Sequence, residues 1–526
     1  MRLATAADIK RLDERAEKEF GISRLVLMEN AGLSVALAME RTMGSLEGKR
    51  ITLLCGRGGN GGDGFVAARH LVSHGASVVI GLVGGREGLA GEADANRAIL
   101  EKTGLAPQDI AGETDIPWVR AAAAAADIIV DALVGTGSRL PVTGLMEQVI
   151  RAVNESGKPV VAVDIPSGLD PDTGAVPGAC IQAVLTVALG LPKRGLVLYP
   201  GTLFTGKLVM ADLTFPAQLL TDEAIRGEIL LPEEAAHLLP LRHPQVHKHA
   251  VGRTLVVAGS RSMTGAAALA AEGALVAGSG LVHLAAPRTA ADALRGRRPE
   301  LLIHPQAETP GGALAEAALE DLLLLAAKMR SVALGPGLGT EETTRKTALK
   351  LMEQAEAPMV IDADALNALA TAPGTLKGAK GPRVITPHSG EMARLLETSV
   401  EAVEADRMGS AARAAEIYGA IAVLKGPRTV VAEPGGRIFV IPTGNAGMAT
   451  GGTGDVLTGI IAGLMAQRLV PVAAALLGAY VHGLAGDIVR DERTELSMTA
   501  SDLAGRVAAA FRRIRTGGGP GEERKA

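Results

Sequence analysis

The 526-residue chain is poor in the residues on which several protein classes depend. Cys55 and Cys180 are its only cysteines, too few for a multi-bridge disulfide framework or a cysteine-rich zinc site, and a reducing, cytoplasmic setting is expected. Phe, Tyr and Trp number 6, 3 and 1, which leaves few platforms for stacking nucleic-acid bases. With 53 basic and 57 acidic residues the net charge is −4, and no basic stripe is visible, so DNA and RNA are not expected partners. A secretory signal is not apparent: MRLATAADIKRLDERA carries charge throughout and reads as a helix with a capping box from Thr5 to Asp8. The most apolar stretch, 472–485, is too short to span a bilayer and reads as a core helix between Pro471 and Asp487.

Glycine is abundant instead, at 66 residues, well above the ~7% average. With 27 prolines the two stay below the ~25–30% of low-complexity chains, and there is no Gly-X-Y period. Hydrophobic residues at 47% and charged residues at 21% describe a globular protein able to bury large cores. At roughly 150 residues per domain, two to four domains are expected.

Short β-branched runs ending in glycine or a carboxylate alternate with alanine-rich helical stretches, the pattern of a parallel α/β sheet. The first set covers 50–55, 77–83, 127–131, 159–164 and 183–189. The pattern breaks up between Phe215 and Pro232, resumes with a strand at Arg253, and continues at 331–334, 358–362, 383–386, 420–424 and 437–441. Two α/β domains are expected, 1–218 and 233–515, with a connecting stretch at 219–232 and a disordered polar tail at 516–526.

The strand at 50–55 runs into GRGGNGGDG, six glycines in nine residues, before a helix beginning at Phe65. Glycine lets backbone approach a ligand closely, and free amides at a helix start favour an anion such as a phosphate. The GxGxxG match at Gly56, Gly58 and Gly61 is weak alone. Asp63 at the helix mouth would repel a pyrophosphate, and GGREG stands where a dinucleotide fold keeps its acidic ribose partner. The alternative is a tight turn with no ligand.

Two later strands end in carboxylates, Asp131 and Asp164, and Ser167 follows the second. Parallel strands share one C-terminal edge, so Asn60, Asp131, Asp164 and Ser167 should converge near the glycine loop as an oxygen-rich set suited to a hard cation. Either aspartate alone could simply cap a helix. The segment 135–141 forms another loop on that edge, with Arg139 suited to phosphate.

The second glycine loop, GNAGMATGGTGDVLTG at 444–459, also has six glycines and leads into an apolar helix. Amides of Gly452, Thr453 and Gly454 would form an anion hole, with Asp455 as acid or base beside it, the parts that phosphoryl transfer needs. A Walker motif is absent. GPGLG (335–339), VIDADALNAL (360–369), TPHSGE (386–391) and LKGPRT (424–429) each follow a strand. His388 suits a substrate contact or a structural role, and Lys425, Arg428 and Thr429 suit a nucleotide phosphate or are surface residues.

LMENAG (27–32), GRGGNGGDG (56–64), VDIPSGLD (163–170) and LGLPKRGL (189–196) resemble the NAD(P)H-hydrate epimerase domain of the YjeF N-terminal type. MTGAAALAA, GPGLG, DADALN, TPHSGE, LKGPRT and NAGMATGGTGDVLTG resemble the ribokinase-like NAD(P)H-hydrate dehydratase domain. Together they span nearly the whole chain in the order of the bifunctional repair family. The resemblance implies a Rossmann-like parallel-sheet domain followed by a ribokinase-like α/β domain. The first would interconvert the R and S forms of hydrated NADH and NADPH. The second would dehydrate the S form at the expense of ADP, by phosphorylation of the ring hydroxyl and loss of phosphate, giving AMP.

Carried over residue by residue, Asn60, Asp131 and Ser167 would bind potassium. Gly59, Asn60, Gly61, Gly62, Asp63, Gly135, Thr136, Gly137, Ser138, Arg139, Leu140, Pro141 and Asp164 would hold the hydrate, with Asp164 as acid/base. In the second domain Ala266, Gly337, His388 and Asp455 would touch the hydrate, with Asp455 carrying the chemistry. Lys425, Gly426, Pro427, Arg428, Thr429 and Gly454 would bind the nucleotide, with magnesium accompanying ADP. A homo-oligomer is expected. Gly59 stands where the family usually has asparagine, and His249 where glycine is expected; neither removes a residue assigned to chemistry. The competing readings are a kinase for a vitamin or sugar alcohol fused to a nucleotide-binding domain, and a first domain serving as a scaffold.

Overall fold

In the computed structural model, which describes residues 1–137 and 139–517, the alternation of β-branched and alanine-rich segments becomes two parallel-sheet units. They are Arg2–Gly227 and Glu228–Ala526 with Met1. Both are α/β, as the pattern predicts. The stretch 219–232 carries the end of a short helix, Ala217–Leu220, a strand at Gly227–Ile229 and the start of the helix Pro232–His237. Ser138 and most of the expected tail, 518–526, lie outside the described residues.

In the first unit, helix α1 (Ala6–Phe20) opens on the expected capping box: the Asp8 amide donates to Thr5 Oγ1 at 3.1 Å and the Thr5 amide to the Asp8 carboxylate at 2.9 Å. Helix α2 (Arg24–Met43) follows. The strands are β1 (Arg50–Cys55), β2 (Ser77–Val83), β3 (Gln108–Ile110), β4 (Ile128–Ala132), β5 (Val160–Val163), β6 (Leu185–Leu189) and β7 (Lys207–Ala211), with α3 (Gly59–Ser73) after β1. All pairings are parallel, in the order β3-β2-β1-β4-β5-β6-β7. Leu53 and Cys55 join one core with Phe65, and Leu54 joins another with Val119. Alternate side chains of β1 thus feed cores on opposite faces, which is why 51–55 is apolar except for Thr52, whose hydroxyl donates to Ala122 O at 3.0 Å. The order reverses between β1 and β4, and the crevice beyond the C-terminal ends of such strands is where open α/β sheets take ligands.

The sequence pattern starts the helix after the first glycine loop at Phe65; the structure starts it at Gly59. Asn60 and Asp63 therefore sit in helical turns rather than in a loop. Missing side chains allow this. A Cβ at Gly61 would lie 1.8 Å from the Gly56 carbonyl oxygen, one at Gly62 would strike Met28 Sδ at 2.6 Å, and one at Gly64 would strike Cys55 Sγ at 2.7 Å.

The second unit has β8 (Arg253–Val257), β9 (Leu281–Pro287), β10 (Leu301–Gln306), β11 (Ser331–Leu334), β12 (Met359–Ile361), β13 (Arg383–Ile385), β14 (Ile421–Leu424), β15 (Val430–Ala432) and β16 (Ile438–Val440). They are ordered β16-β15-β14-β13-β12-β11-β8-β9-β10, parallel except for the two pairings made by β15. Helices α4 (Thr264–Val276), α5 (Ser389–Leu395), α6 (Thr453–Ala466) and α7 (Pro471–Glu492) matter for the site. Helix α6 packs tightly on α4: a Cβ at Gly459 would lie 1.9 Å from Ala270 O, and one at Gly273 would lie 2.2 Å from Val456 O. Gly459, counted in the second glycine loop by its spacing, is a helix-contact glycine. The stretch expected to be too short for a bilayer belongs to a 22-residue helix, long and apolar enough to cross one, whose residues from Ala474 to Val489 are buried in the unit.

Candidate active sites

At the switch point of the first unit lies a cavity of about 1050 Å³. It is lined by Asn60 and Asp63 of α3, Gly135 to Gly137 after β4, Asp164 after β5, Leu189 at the end of β6 and Lys193 beyond it, and Ile9, Lys10 and Asp13 of α1. Of the expected hydrate contacts, Gly59, Asn60, Asp63, Gly135, Thr136, Gly137 and Asp164 line it. Gly61 and Gly62 do not; they are packed against protein, as above. Arg139, Leu140 and Pro141 are also not among its lining residues, Leu140 packing on the outer core instead. Ser138 lies outside the described residues.

Asp131, 1% exposed, is the last residue but one of β4. Its carboxylate accepts the Ser167 hydroxyl at 2.6 Å, the Ser167 amide at 2.8 Å and the Leu133 amide at 3.2 Å. Burial pushes it up to about 6 against those hydrogen bonds. The Ser167 oxygen in turn accepts the Val134 amide at 3.0 Å, which binds the turns after β4 and β5 together. Asn60, 8% exposed, has both side-chain amide atoms buried without a hydrogen-bond partner. A buried amide costs free energy unless something satisfies it, so this side chain points to a ligand or ion.

Asp164 has φ +68, a conformation L residues rarely adopt and one that clusters where geometry serves function. Its Oδ1 accepts the Lys193 ammonium and the Leu189 amide, and Lys193 also donates to Leu189 O at 2.9 Å. Lys193 is 0% exposed; its charge is tolerable only with such a partner. Burial, with Asp164 and Asp13 adding and Lys193 opposing, lifts the Asp63 carboxyl well above its ordinary range. Asp13 is lifted by burial to about 6, against the pull of Lys193 and Arg24. Neither Asp13 nor Asp63 makes a hydrogen bond or ion pair among the described residues. Sequence reasoning missed Lys193 and Asp13. Lys193 stands inside a quoted motif, but Asp13 carries no local signal, being one acidic residue on a charged helix.

In the second unit Asp455 lies in the first turn of α6, whose N-cap Gly452 has φ +93. Burial raises Asp455 to about 7, with Asp362, Asp364 and Glu391 adding and Lys425 opposing. Lys425 Nζ sits 2.6 Å from Asp362 Oδ1 and 3.7 Å from Glu391 Oε2. The lysine expected to meet nucleotide phosphate is thus already paired, and the carboxylate partners outweigh the effect of burial to keep it charged. Its ammonium borders the helix start: a Cβ on Gly454 would lie 3.3 Å from Nζ. Asp362 was quoted within a motif without a role, although a carboxylate ending a strand is the signal that singled out Asp131 and Asp164.

His388 caps α5. Its Nδ1 accepts the Gly390 amide at 3.0 Å, and its own amide donates to Glu391 at 2.8 Å, so one edge of the ring is structural while the side chain is 56% exposed. Ala266 and Gly337 adjoin, since a Cβ on Gly337 would lie 3.0 Å from that of Ala266. In the turn after β14, the buried Arg407 donates to the Leu424 and Lys425 carbonyls, a Cβ on Gly426 would meet its guanidinium at 2.7 Å, and Thr429 Oγ1 donates to Gly426 O at 3.3 Å. Arg428, expected at phosphate, has φ +56 and donates to Pro442 O. Pro427 lies between these residues.

Two buried residues of α7 hold the second glycine loop from behind. His482 Nε2 donates to Thr453 O at 2.9 Å, and burial lowers it to about 4, so the ring is neutral. Asp487 accepts the Gly444 amide and the Asn445 side chain, both at 3.0 Å. The apolar run around them gave no sign of this task.

A family model described as YjeF-related protein N-terminus matches residues 24–195, and one described as NAD(P)H-hydrate dehydratase matches residues 254–508. The bifunctional NAD(P)H-hydrate repair enzyme Nnr of Moorella thermoacetica is 45% identical over 96% of this chain and 95% of its own length. That of Escherichia coli is 38% identical over 95% of this chain and 92% of its own. Among solved structures, the ADP/ATP-dependent NAD(P)H-hydrate dehydratase of Bacillus subtilis co-crystallized with ATP and Mg2+ is 30% identical, covers 55% of this chain and 98% of its own, and has a TM-score of 0.48.

Proposed function

The chain belongs to the family of bifunctional NAD(P)H-hydrate repair enzymes, and from that premise we propose that its two strand-edge sites divide the work. The cavity of the first unit interconverts R and S hydrates of NADH and NADPH. The start of α6 in the second unit dehydrates the S hydrate at the expense of ADP. The observation that carries this division is the pairing of each carboxylate expected to do chemistry with a buried lysine ion pair: Asp164 with Lys193, and Asp455 beside Lys425–Asp362.

In the first site Asp164 acts as acid/base at the hydrated carbon, where a C–O bond must open and re-form. Lys193 holds its carboxylate in place. Asn60, Asp131 and Ser167 would hold potassium. Hard oxygens suit that ion, and the unpartnered amide of Asn60 supports the assignment. When bound, the ion supplies a fixed positive charge at the cavity edge.

In the second site the amides of Gly452, Thr453 and Gly454 point from a helix start, where the helix dipole favours an incoming phosphoryl group. Asp455 takes the proton of the ring hydroxyl as the phosphoryl group of ADP is transferred to it, and Lys425 offsets the charge that develops. We assign magnesium to the nucleotide itself, since Asp364, Glu391 and Asp455 would repel its phosphates without a counter-ion. Hydrate contacts at Ala266, Gly337 and His388, and nucleotide contacts along 425–429, complete the proposal. We also propose a cytoplasmic location, which suits two free, buried thiols.

Incubating the protein with separated R and S hydrates and ADP tests the division. S turnover should release AMP and restore reduced-nicotinamide absorbance without the first site, while R turnover should need both. Equal turnover of R and S by Asp164→Ala would overturn the assignment of the first cavity.

A further inference from the structure

Inverting a hydroxyl-bearing carbon through C–O cleavage poses a problem that one acid/base residue does not solve. If the same group protonates the departing hydroxyl and deprotonates the returning water, the oxygen returns to the face it left and the starting epimer is recovered. Inversion needs a second proton-handling group, reaching the same carbon from another wall of the cavity.

The first unit contains one. Asp164 enters the cavity from the strand edge. Asp13 enters it from α1, a helix that contributes no other carboxylate to the wall. Its carboxyl is unengaged among the described residues, whereas Asp164 is fixed by Lys193. The neighbouring Asp63, 9% exposed and also unpartnered, and Asn60, whose amide atoms are buried and unsatisfied, face the same space. Lys10 of α1 and Arg24 of α2 are the cationic residues these two helices contribute to the lining.

We propose that Asp13 is the second catalytic acid/base residue of the epimerisation, acting with Asp164 on one shared proton. This rests on the reading of the cavity as the epimerase site. In one direction Asp13 gives its proton to the ring hydroxyl, which leaves as water with both electrons of the C–O bond. The ring becomes a cation whose charge is shared with its nitrogen, facing the anionic side chains. A water molecule adds through a lone pair on the other face, and Asp164 takes the proton it sheds. The opposite direction reverses both transfers, and solvent returns the proton between turnovers. Nothing is oxidised or reduced.

The experiment uses the full chain with purified R hydrate, ADP and an excess of the second site's activity, so that epimerisation limits the rate. Asp13→Asn is expected to lower kcat for R at least ~100-fold, within the range general acid–base groups contribute. KM should stay within about threefold and S turnover should be unchanged, and Asp13→Glu should recover at least ~10-fold of the loss. Should Asp13→Asn keep kcat within threefold while Asp164→Asn abolishes R turnover, the proposal fails and the cavity assignment stands. If both variants turn over R normally, the cavity assignment itself fails. Should Asp13→Asn not fold, Asp13→Ser decides in its place: R binding retained with kcat reduced ~100-fold or more supports the role, and kcat within about threefold overturns it.

Discussion

Lys425 Nζ donates to one oxygen of Asp362 at 2.6 Å while the other oxygen accepts the Thr458 hydroxyl at 2.7 Å. The ends of β12 and β14, two strands apart in the sheet, and helix α6 are thereby joined through one carboxylate, which also presents its charge to Asp455.

Asp362 heads the charges that raise Asp455 to about 7, so the S-dehydration rate should climb with pH through about 7 as Asp455 becomes a competent base. Asp362→Asn removes a repelling charge and leaves Lys425 less neutralised, and both changes favour ionised Asp455. The acid limb should therefore move to lower pH. The pH profile of kcat/KM for the S hydrate checks this; a limb that stays in place or moves up contradicts it. Asp455→Asn should cost ~10²–10⁴ in rate.

His482 is held neutral. Its folded pKa, about 4, lies below the ordinary 6.5, so the unfolded chain binds more protons between those values. The stabilisation is fully present above about 6.5 and is lost as pH falls toward 4. At ~1.4 kcal/mol per unit this amounts to on the order of 3 to 4 kcal/mol at most. Hydrogen exchange at 453–466 should quicken over that window, and His482→Gln should flatten the dependence while weakening the start of α6 at neutral pH.

Gly59 and Gly61 are two residues apart and should respond oppositely. A Cβ on Gly59 meets nothing within 4 Å, and alanine in a helix gains ~0.5–1 kcal/mol over glycine. Gly61→Ala drives a methyl into the Gly56 carbonyl at 1.8 Å, a backbone clash costing on the order of 3 kcal/mol or more. Thermal unfolding followed by Trp118 fluorescence reads the first unit. Equal midpoints for the two variants would count against this packing.

The contrast also shows why glycine abundance was legible and its purpose only partly so. Composition and spacing identified both loops, their strand-to-helix junctions and the carboxylates at strand ends. They did not separate a glycine that clears space for a ligand from one that clears space for a carbonyl. Gly58 and Gly59 face open space, whereas Gly56, Gly61, Gly62 and Gly64 abut protein, and Gly459 abuts α4. The short strands β3 and β7 lacked a strong enough run to announce themselves. Lys193, His482 and Asp487 were missed because the groups Asp164, Thr453 and Gly444 that they engage lie 29 or more residues away, beyond any local pattern, and Asp13 because nothing local marks one acidic residue on a charged helix.

Potassium dependence should belong to one half of the activity. Exchanging potassium for lithium, or Asn60→Ala at fixed potassium, should slow R turnover and leave S turnover within about twofold. Calorimetric titration of potassium into the intact protein gives a readout apart from turnover: its heat should vanish in Asn60→Ala.

Helix α1, fixed by Thr5 and Asp8, forms one wall of the first unit's cavity through Ile9, Lys10 and Asp13. The YjeF-related family model matches only from residue 24 onward. A fragment cut at that point would keep every glycine of the first loop and both Asp131 and Asp164, yet leave the cavity open to solvent along one side. Expression boundaries, affinity tags and sequence surveys drawn from the motif alone would thus amputate one wall of that cavity while seeming to preserve it.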